Sequence, residues 1–196
     1  MSLNTTVLRN PALKKWADEK LDKAARLISL GTPIAADDNR IVTIANMKNT
    51  TTYTIAAQPD VCRRLSFTHA TVAAGADTLG TLAVLGTDYD GYTISETVTP
   101  LADTTVYSTK AYKTVTSIIG SGWVIAGGND TIIVGVDARL GLPYDISGSL
   151  SVLLGIVGTA IIAPTSYAGG TKEKSMVDIS SGTFDGSKSV FVFMVE

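Results

Sequence analysis

A single cysteine and a single histidine in 196 residues set the first limits on this chain. With Cys62 alone, no intramolecular disulfide can form, and the fold does not depend on an oxidising compartment. A Ser-His-Asp or Cys-His arrangement needs a histidine base, and only His69 is available. It lies within a strand pattern between Thr68 and Ala70 and reads as a hydrogen-bonded histidine on a sheet face. Cys62 is too far along the same extended segment for direct contact and reads as a small buried hydrophobe. Two such ligands cannot build a zinc site without carboxylates. Charge is also sparse: Asp, Glu, Lys and Arg make up 17% of the chain, against the usual ~25%. The net charge of -2 offers nothing to phosphate backbones, so no nucleic-acid partner is expected. The longest apolar run, residues 150–163, is interrupted by Gly155 and Gly158. It is too short to cross ~30 Å of hydrocarbon as a helix, so no membrane partner is expected. The first residues lack a basic-then-apolar pattern, so no secretion signal is expected either.

What the chain does have is a hydrophobic content of 45%, enough for one domain with a substantial core, or one domain plus an arm. Residues 10–31 predict the one helix. Asn10 is a good N-cap, Pro11 suits the first helical position, and Gly31 followed by Pro33 marks the stop. Leu13, Trp16, Ala17, Leu21, Ala24, Leu27 and Ile28 recur at helical spacing, with Lys14, Lys15, Asp18, Glu19, Asp22, Lys23 and Arg26 on the other face. Two readings follow: the stripe packs on its own domain, or residues 1–33 form an arm that docks on a partner. For a partner, the expected contact residues are Leu13, Trp16, Leu21 and Ile28, Trp being a frequent interface anchor.

From residue 34 to 196 the pattern is that of a single, mainly β domain, an antiparallel β-sandwich or jelly-roll-like fold. Runs rich in Val, Ile, Thr and Tyr alternate with Gly, Asp and Asn clusters. Strands are expected over 41–45, 51–57, 63–72, 82–87, 92–98, 131–136, 151–157, 159–163, 176–179 and 189–195. Tyr112 to Ile118 alternates strictly, with Tyr112, Thr114, Thr116 and Ile118 assigned to one face. Asp88-Tyr89-Asp90-Gly91 reads as a turn, and Gly127-Gly128-Asn129-Asp130 as the close of another hairpin. The last strand is apolar on both faces, so it is expected to be buried on both sides or to join an interface.

Asp88, Asp90 and Glu96 surround a Gly turn, and Asp-x-Asp-Gly is part of a calcium-loop pattern. The remaining loop ligands are missing at the required spacing, and a β-turn accounts for the same letters, so no metal and no cofactor are expected. A glycosidase needs paired carboxylates across a cleft. Asp88, Asp90, Glu96, Asp103 and Asp130 all fall in or beside expected turns, where such groups are usually solvated. The Gly-rich segments precede strands rather than helices, which argues against phosphate cradles. No catalytic residues are expected.

The segment Gly80–Val136 resembles structural β-domains of tailed-bacteriophage virions, of the decoration, cement or minor-head kind. The resemblance rests on Gly86-Thr87-Asp88-Tyr89-Asp90-Gly91, Ile94-Ser95-Glu96-Thr97-Val98, Thr109-Lys110-Ala111-Tyr112-Lys113-Thr114-Val115-Thr116-Ser117-Ile118, and Gly127-Gly128-Asn129-Asp130. It implies a non-enzymatic virion subunit that binds the major capsid protein or neighbouring subunits. It also implies a homo-oligomer in the particle, assembled in the bacterial host cytoplasm. Two other readings stand beside it. One is a tail tube or baseplate subunit. The other is a glycan-binding β-sandwich, for which Tyr89, Tyr92, Tyr107 and Trp123 would be the aromatic platforms.

Overall fold

The computed structural model describes residues 26–72, 77–146, 151–167 and 169–195. They form a mainly β, sandwich-like arrangement in which every strand pairing is antiparallel. In chain order the strands are β1 (Arg26–Gly31), β2 (Asp37–Asn46), β3 (Arg63–Ala70), β4 (Thr81–Thr87), β5 (Thr93–Val98), β6 (Thr105–Tyr112) and β7 (Thr114–Ser121). There follow β8 (Thr131–Gly141), β9 (Ser151–Val157), β10 (Ala160–Ile162), β11 (Thr165–Tyr167), β12 (Met176–Asp178) and β13 (Val190–Val195). They make a four-stranded sheet, β1-β13-β9-β10, and a three-stranded sheet, β5-β4-β7. A six-stranded sheet has the order β11-β12-β8-β3-β6, with β2 also paired to β8.

Strand β8 is the spine. It pairs with β3 along one edge, and with β2 and then β12 along the other. Its first half sends Ile132, Val134 and Val136 into a core shared with Ile41, Leu65, Phe67, Leu82, Val84, Val115 and Ile118, where the six- and three-stranded sheets face each other. Its end sends Leu140, with Leu142 just beyond, into a second core with Leu30, Val157, Val177, Ile179, Val190, Val192 and Met194. Each fully buried Leu, Ile or Phe contributes about 1.5–3 kcal/mol from apolar surface removed from water. One strand thus ties two cores together.

The Asp88–Gly91 turn forms as the sequence predicts. The Asp88 carboxylate accepts from the Asp90 and Tyr92 amides at 3.0 and 2.9 Å, and Gly91 has φ +90°. A left-handed residue is needed there, and glycine takes it without a Cβ clash.

Several expectations are corrected. Arg26–Gly31 is not the last turn of a helix but a strand, paired with β13 from Arg26↔Met194 onward. The segment gains a ladder of long-range backbone hydrogen bonds there, interrupted by a register shift between Ser29 and Gly31, which overrides a weak helical preference. The sheet-forming chain therefore starts at Arg26 rather than at residue 34. The rest of the expected helix, including Leu13, Trp16 and Leu21, lies outside the described residues. The segment 51–57 is not a strand; it makes one bridge, Thr52↔Ile119, and single hydrogen bonds from Tyr53 to Ile118 and from Ala56 to Ile41. Gly127–Asp130 does not close a hairpin, because β7 pairs with β4 whereas β8 pairs with β2, β3 and β12. The loop carries the chain from one layer of the sandwich to the other.

The run Tyr112–Ile118 is likewise two strands. The chain changes sheets at Lys113, whose amide donates to the Thr87 carbonyl at 2.8 Å. The register against β4 then steps from Leu85↔Ser117 to Gly86↔Val115, leaving Thr116 as the extra residue of a bulge. The inward positions become Tyr112, Val115 and Ile118, while Thr116 is exposed.

Candidate interaction surface

The residues with the most chemical promise are used by the fold. The His69 ring nitrogen Nδ1 accepts from the Asp103 amide at 3.2 Å, so Nε2 carries the proton and donates to the Asp130 carboxylate at 3.1 Å. The other Asp130 oxygen accepts from the Val72 amide at 3.0 Å. Both side chains are buried, so His69 is the hydrogen-bonded histidine the sequence predicts, but Asp130 is not the solvated turn carboxylate. Asp103 accepts from the Thr71 amide at 2.7 Å, and that bond holds its carboxyl below the ordinary range. These three side chains together tie the ends of β3 and β8 to the loop before β6. Cys62 is buried, and burial first, then the Asp88 charge, pushes its thiol up to about 12. A thiol held protonated in this way is a poor nucleophile.

Asp88 and Asp90 meet a cation, but it is a side chain of the protein. The Lys172 ammonium lies 3.0 Å from Asp88 and 2.6 Å from Asp90, and 5.1 Å from the centre of the Tyr92 ring. Glu96 is turned elsewhere, accepting from the Thr109 and Lys110 amides at 2.7 and 3.2 Å. Among the described residues no group of three or more His, Cys, Asp or Glu is placed to hold a metal ion.

Burial works to raise the Asp88 pKa, but the Lys172 ammonium and the Tyr92 and Asp90 amides outweigh it and hold the carboxyl below its ordinary value. A depressed carboxyl stabilises the fold above its unfolded pKa of about 3.9 and loses that contribution as pH falls through the lower folded value. Replacing Lys172 with Met is therefore expected to cost about 1 kcal/mol at neutral pH. It should also flatten the fall in stability below about pH 4. Urea midpoints measured across that range check both effects; an unchanged acid slope would detach Lys172 from the Asp88 shift.

The aromatic platforms are largely engaged. Trp123 lies against Gly120, where an added Cβ would meet its ring at 1.5 Å, and its ring centre is 6.2 Å from that of Tyr53. The Tyr89 hydroxyl donates to the Ser29 carbonyl at 2.9 Å. Tyr92 and Tyr107 are exposed, each with a cation over its ring.

Tyr107 belongs to a groove that the sequence did not reveal. Strands β3, β6, β8, β11 and β12, with the short 3-10 helix Lys172–Lys174 before β12, bring Arg64, Tyr107, Arg139, Tyr167, Met176 and Lys174 around an open concavity of about 440 Å³. The Arg64 guanidinium lies 4.1 Å from the centre of the Tyr107 ring, and that of Arg139 lies 3.4 Å from the centre of Tyr167. Such stacking holds a guanidinium in place and, at Arg139, leaves the N–H edge free to donate. Asp137 accepts from Arg64 Nε at 2.7 Å, and Lys110 reaches Glu173 at 3.6 Å. Among the described residues neither Arg139 nor Lys174 has a carboxylate partner, so the groove carries an excess of positive charge in a chain of net charge -2. Arg64 and Arg139 are 75 positions apart, and no local spacing announces their meeting. Only the register of β3 against β8, with its shift between Arg63 and Leu65, sets them side by side.

Of the expected contact residues, Ile28 alone falls within the described chain. It pairs with Val192 and packs, half-buried, against the second core. No helix among the described residues is long and apolar enough to cross a membrane. Comparison with protein-family models, with curated proteins and with solved structures found no match to this chain.

Proposed function

We propose that this chain is a non-enzymatic structural subunit of a tailed-phage virion, binding the capsid lattice as a decoration, cement or minor-head protein. The observation that carries this reading is the Arg64–Tyr107–Arg139–Tyr167–Lys174 groove. Arginine and tyrosine are the residues that most often anchor protein–protein contacts, and stacked guanidinium groups suit the carboxylates of an acidic loop. The rest of the molecule supports it in a weaker way. His69, Asp130, Asp88, Asp90 and Cys62 are tied into the fold or buried. The strand-and-turn pattern over Gly80–Val136, which resembles phage β-domains, supplies the rest of the support. In the particle the partners would be the major capsid protein or neighbouring copies, with assembly in the host cytoplasm.

The test is immunogold labelling of virions with antibody to this chain, repeated after complementation with an Arg139→Ala/Lys174→Ala variant. Gold over the whole head, lost or sharply reduced in the variant, is the expected result. Gold confined to the tail would replace the head reading with a tube or baseplate subunit. No gold on any particle would overturn the virion reading altogether. Undiminished labelling with the variant would remove the groove from the contact.

A further inference from the structure

The chain holds a single histidine, and the fold has buried it. Histidine is the one side chain whose ordinary titration falls between pH 5 and 8. His69 ends the inward-facing row of β3, and neither its side chain nor that of Asp130 beside it is exposed. The two ring nitrogens have different partners. A backbone amide can only donate, so the Asp103 N–H, 3.2 Å from Nδ1, requires a lone pair there. Nε2 therefore carries the one ring proton and donates to Asp130 at 3.1 Å. A second ring proton would sit on Nδ1 and set N–H against N–H. The closed arrangement has no place for it.

The residue that depends on this lone pair is held in an unusual shape. Among the described residues Asp103 is the one non-glycine with positive φ, +49°. That left-handed conformation is disfavoured for an L-residue. Two bonds hold it: the amide to His69, and the carboxylate, which accepts from the Thr71 amide at 2.7 Å. Asp130 completes the joint by accepting from the Val72 amide at 3.0 Å. The charged groups facing the ring are these two carboxylates, Asp103 from the β5–β6 connection and Asp130 from just ahead of β8. The residues level with His69 on the neighbouring strands, Ile132 and Thr104, carry no charge. Glu96 of β5 is turned to the Thr109 and Lys110 amides, and Lys48, next to the Met47 amide that bonds the Asp130 carbonyl, is exposed.

We propose that His69 is an acid-sensitive latch: neutral, it clamps residues 101–104 onto the ends of β3 and β8, and protonated, it releases them. A solvated imidazole takes up its second proton near about pH 6.5. Only the released form accepts that proton, so acid favours release. The ratio of latched to released protein falls about tenfold for each pH unit below that value and is independent of pH above it. Leu101 and Val72, 55% and 61% exposed, lie on the two segments the latch joins, so release redraws the apolar surface at this end of the sandwich. This inference does not depend on the virion reading.

Amide hydrogen exchange of the full chain, followed residue by residue by NMR between about pH 7.5 and about pH 5, tests the latch. After correction for intrinsic rates, protection of the Thr71, Val72 and Asp103 amides should fall about tenfold per pH unit below about 6.5. The amides of β8, such as Val134, should keep theirs over the same range. With one histidine in the chain, the ring nitrogen signals report its protonation without overlap. Their midpoint should coincide with the loss of protection. His69→Gln, which keeps a donor for Asp130 but does not titrate, should abolish the acid dependence. Protection at the three amides that holds until the whole protein unfolds would overturn the proposal. So would a ring that gains its second proton while the Asp103 amide stays protected. An acid dependence unchanged in the Gln variant would take the switch away from His69. Should that variant fail to fold, coincidence of the two midpoints in the parent decides the same question.

Discussion

Replacing Arg63 with Ala is expected to destabilise the protein by about 3–5 kcal/mol, the range for removing one member of a buried ion pair. Arg63 is the largest fully buried side chain among the described residues. Its Nε donates to the Asp137 carbonyl at 2.8 Å, and Nη1 donates to the Ile34 carbonyl at 3.0 Å and to Asp60 at 3.1 Å. Asp60 in turn accepts from the Ile34 amide at 2.7 Å. One guanidinium therefore ties the β1–β2 connection and β8 to β3, close to where the two cores meet. Truncation leaves a poorly solvated carboxylate without its cation, orphans two carbonyls and opens a cavity. The pair itself is a different matter. Arg63 Nη2 is buried with no partner, so the guanidinium is not fully compensated even in the native fold. An Asp60→Asn/Arg63→Met double variant should therefore cost clearly less than the sum of its single changes, a coupling of about 0.5–3 kcal/mol. Urea titration of the four proteins measures it, and strict additivity would mean that Asp60 and Arg63 act independently.

Gly135→Ala is the second large effect. Gly135 sits in the middle of β8, paired with Ser66, at the point where β2 crosses. A Cβ there would lie 2.1 Å from the Asp37 carbonyl oxygen and 2.3 Å from the Asp38 carbonyl carbon. Both are backbone atoms, so no side-chain rotation relieves the overlap, and β2 must be pushed off the spine. The expected cost is at the upper end for overpacking, about 3 kcal/mol, or roughly 6–12 °C in Tm for a chain of this size. Ser66→Ala, at the residue directly opposite, is the control. The Ser66 hydroxyl is buried without a partner, so its removal should be neutral or mildly stabilising. A Gly135→Ala protein that melts with the parent would show that β2 does not cross here.

The periodic features of this fold were legible in the sequence because they are local. Alternation in 82–87 and 189–195 identified β4 and β13, and Asp88-Tyr89-Asp90-Gly91 identified its turn, since a short polar side chain and a glycine satisfy that geometry without help from elsewhere. β13 is fully buried on its Val190, Val192 and Met194 face and half-buried on its Phe191 and Phe193 face. The errors fell where two local preferences competed. Residues 26–31 carry the tail of a helical stripe, but they also fit a pleated edge beside β13. The ladder of long-range hydrogen bonds decides between the two, and no window of sequence contains it. The run 112–118 alternates well enough for one strand, yet a change of sheet at Lys113 and the bulge at Thr116 reset which residues face inward.

By itself, then, the sequence determined the β class, the turn chemistry and the scarcity of catalytic groups, because composition and short-range periodicity suffice for each. Only the tertiary structure decided what the polar residues do. Lys172 was an ordinary loop lysine until folding set it against Asp88 and Asp90, 84 and 82 positions away. Asp130 looked like a solvated turn residue until the pairing of β3 with β8 buried it on His69. Arg64, Tyr107, Arg139, Tyr167 and Lys174 became one surface only through the register of strands far apart in the chain. Charge pairing and stacking act over a few ångströms of space, whereas periodicity acts along the chain, and the strand register that converts one into the other is set by the packing of the whole core.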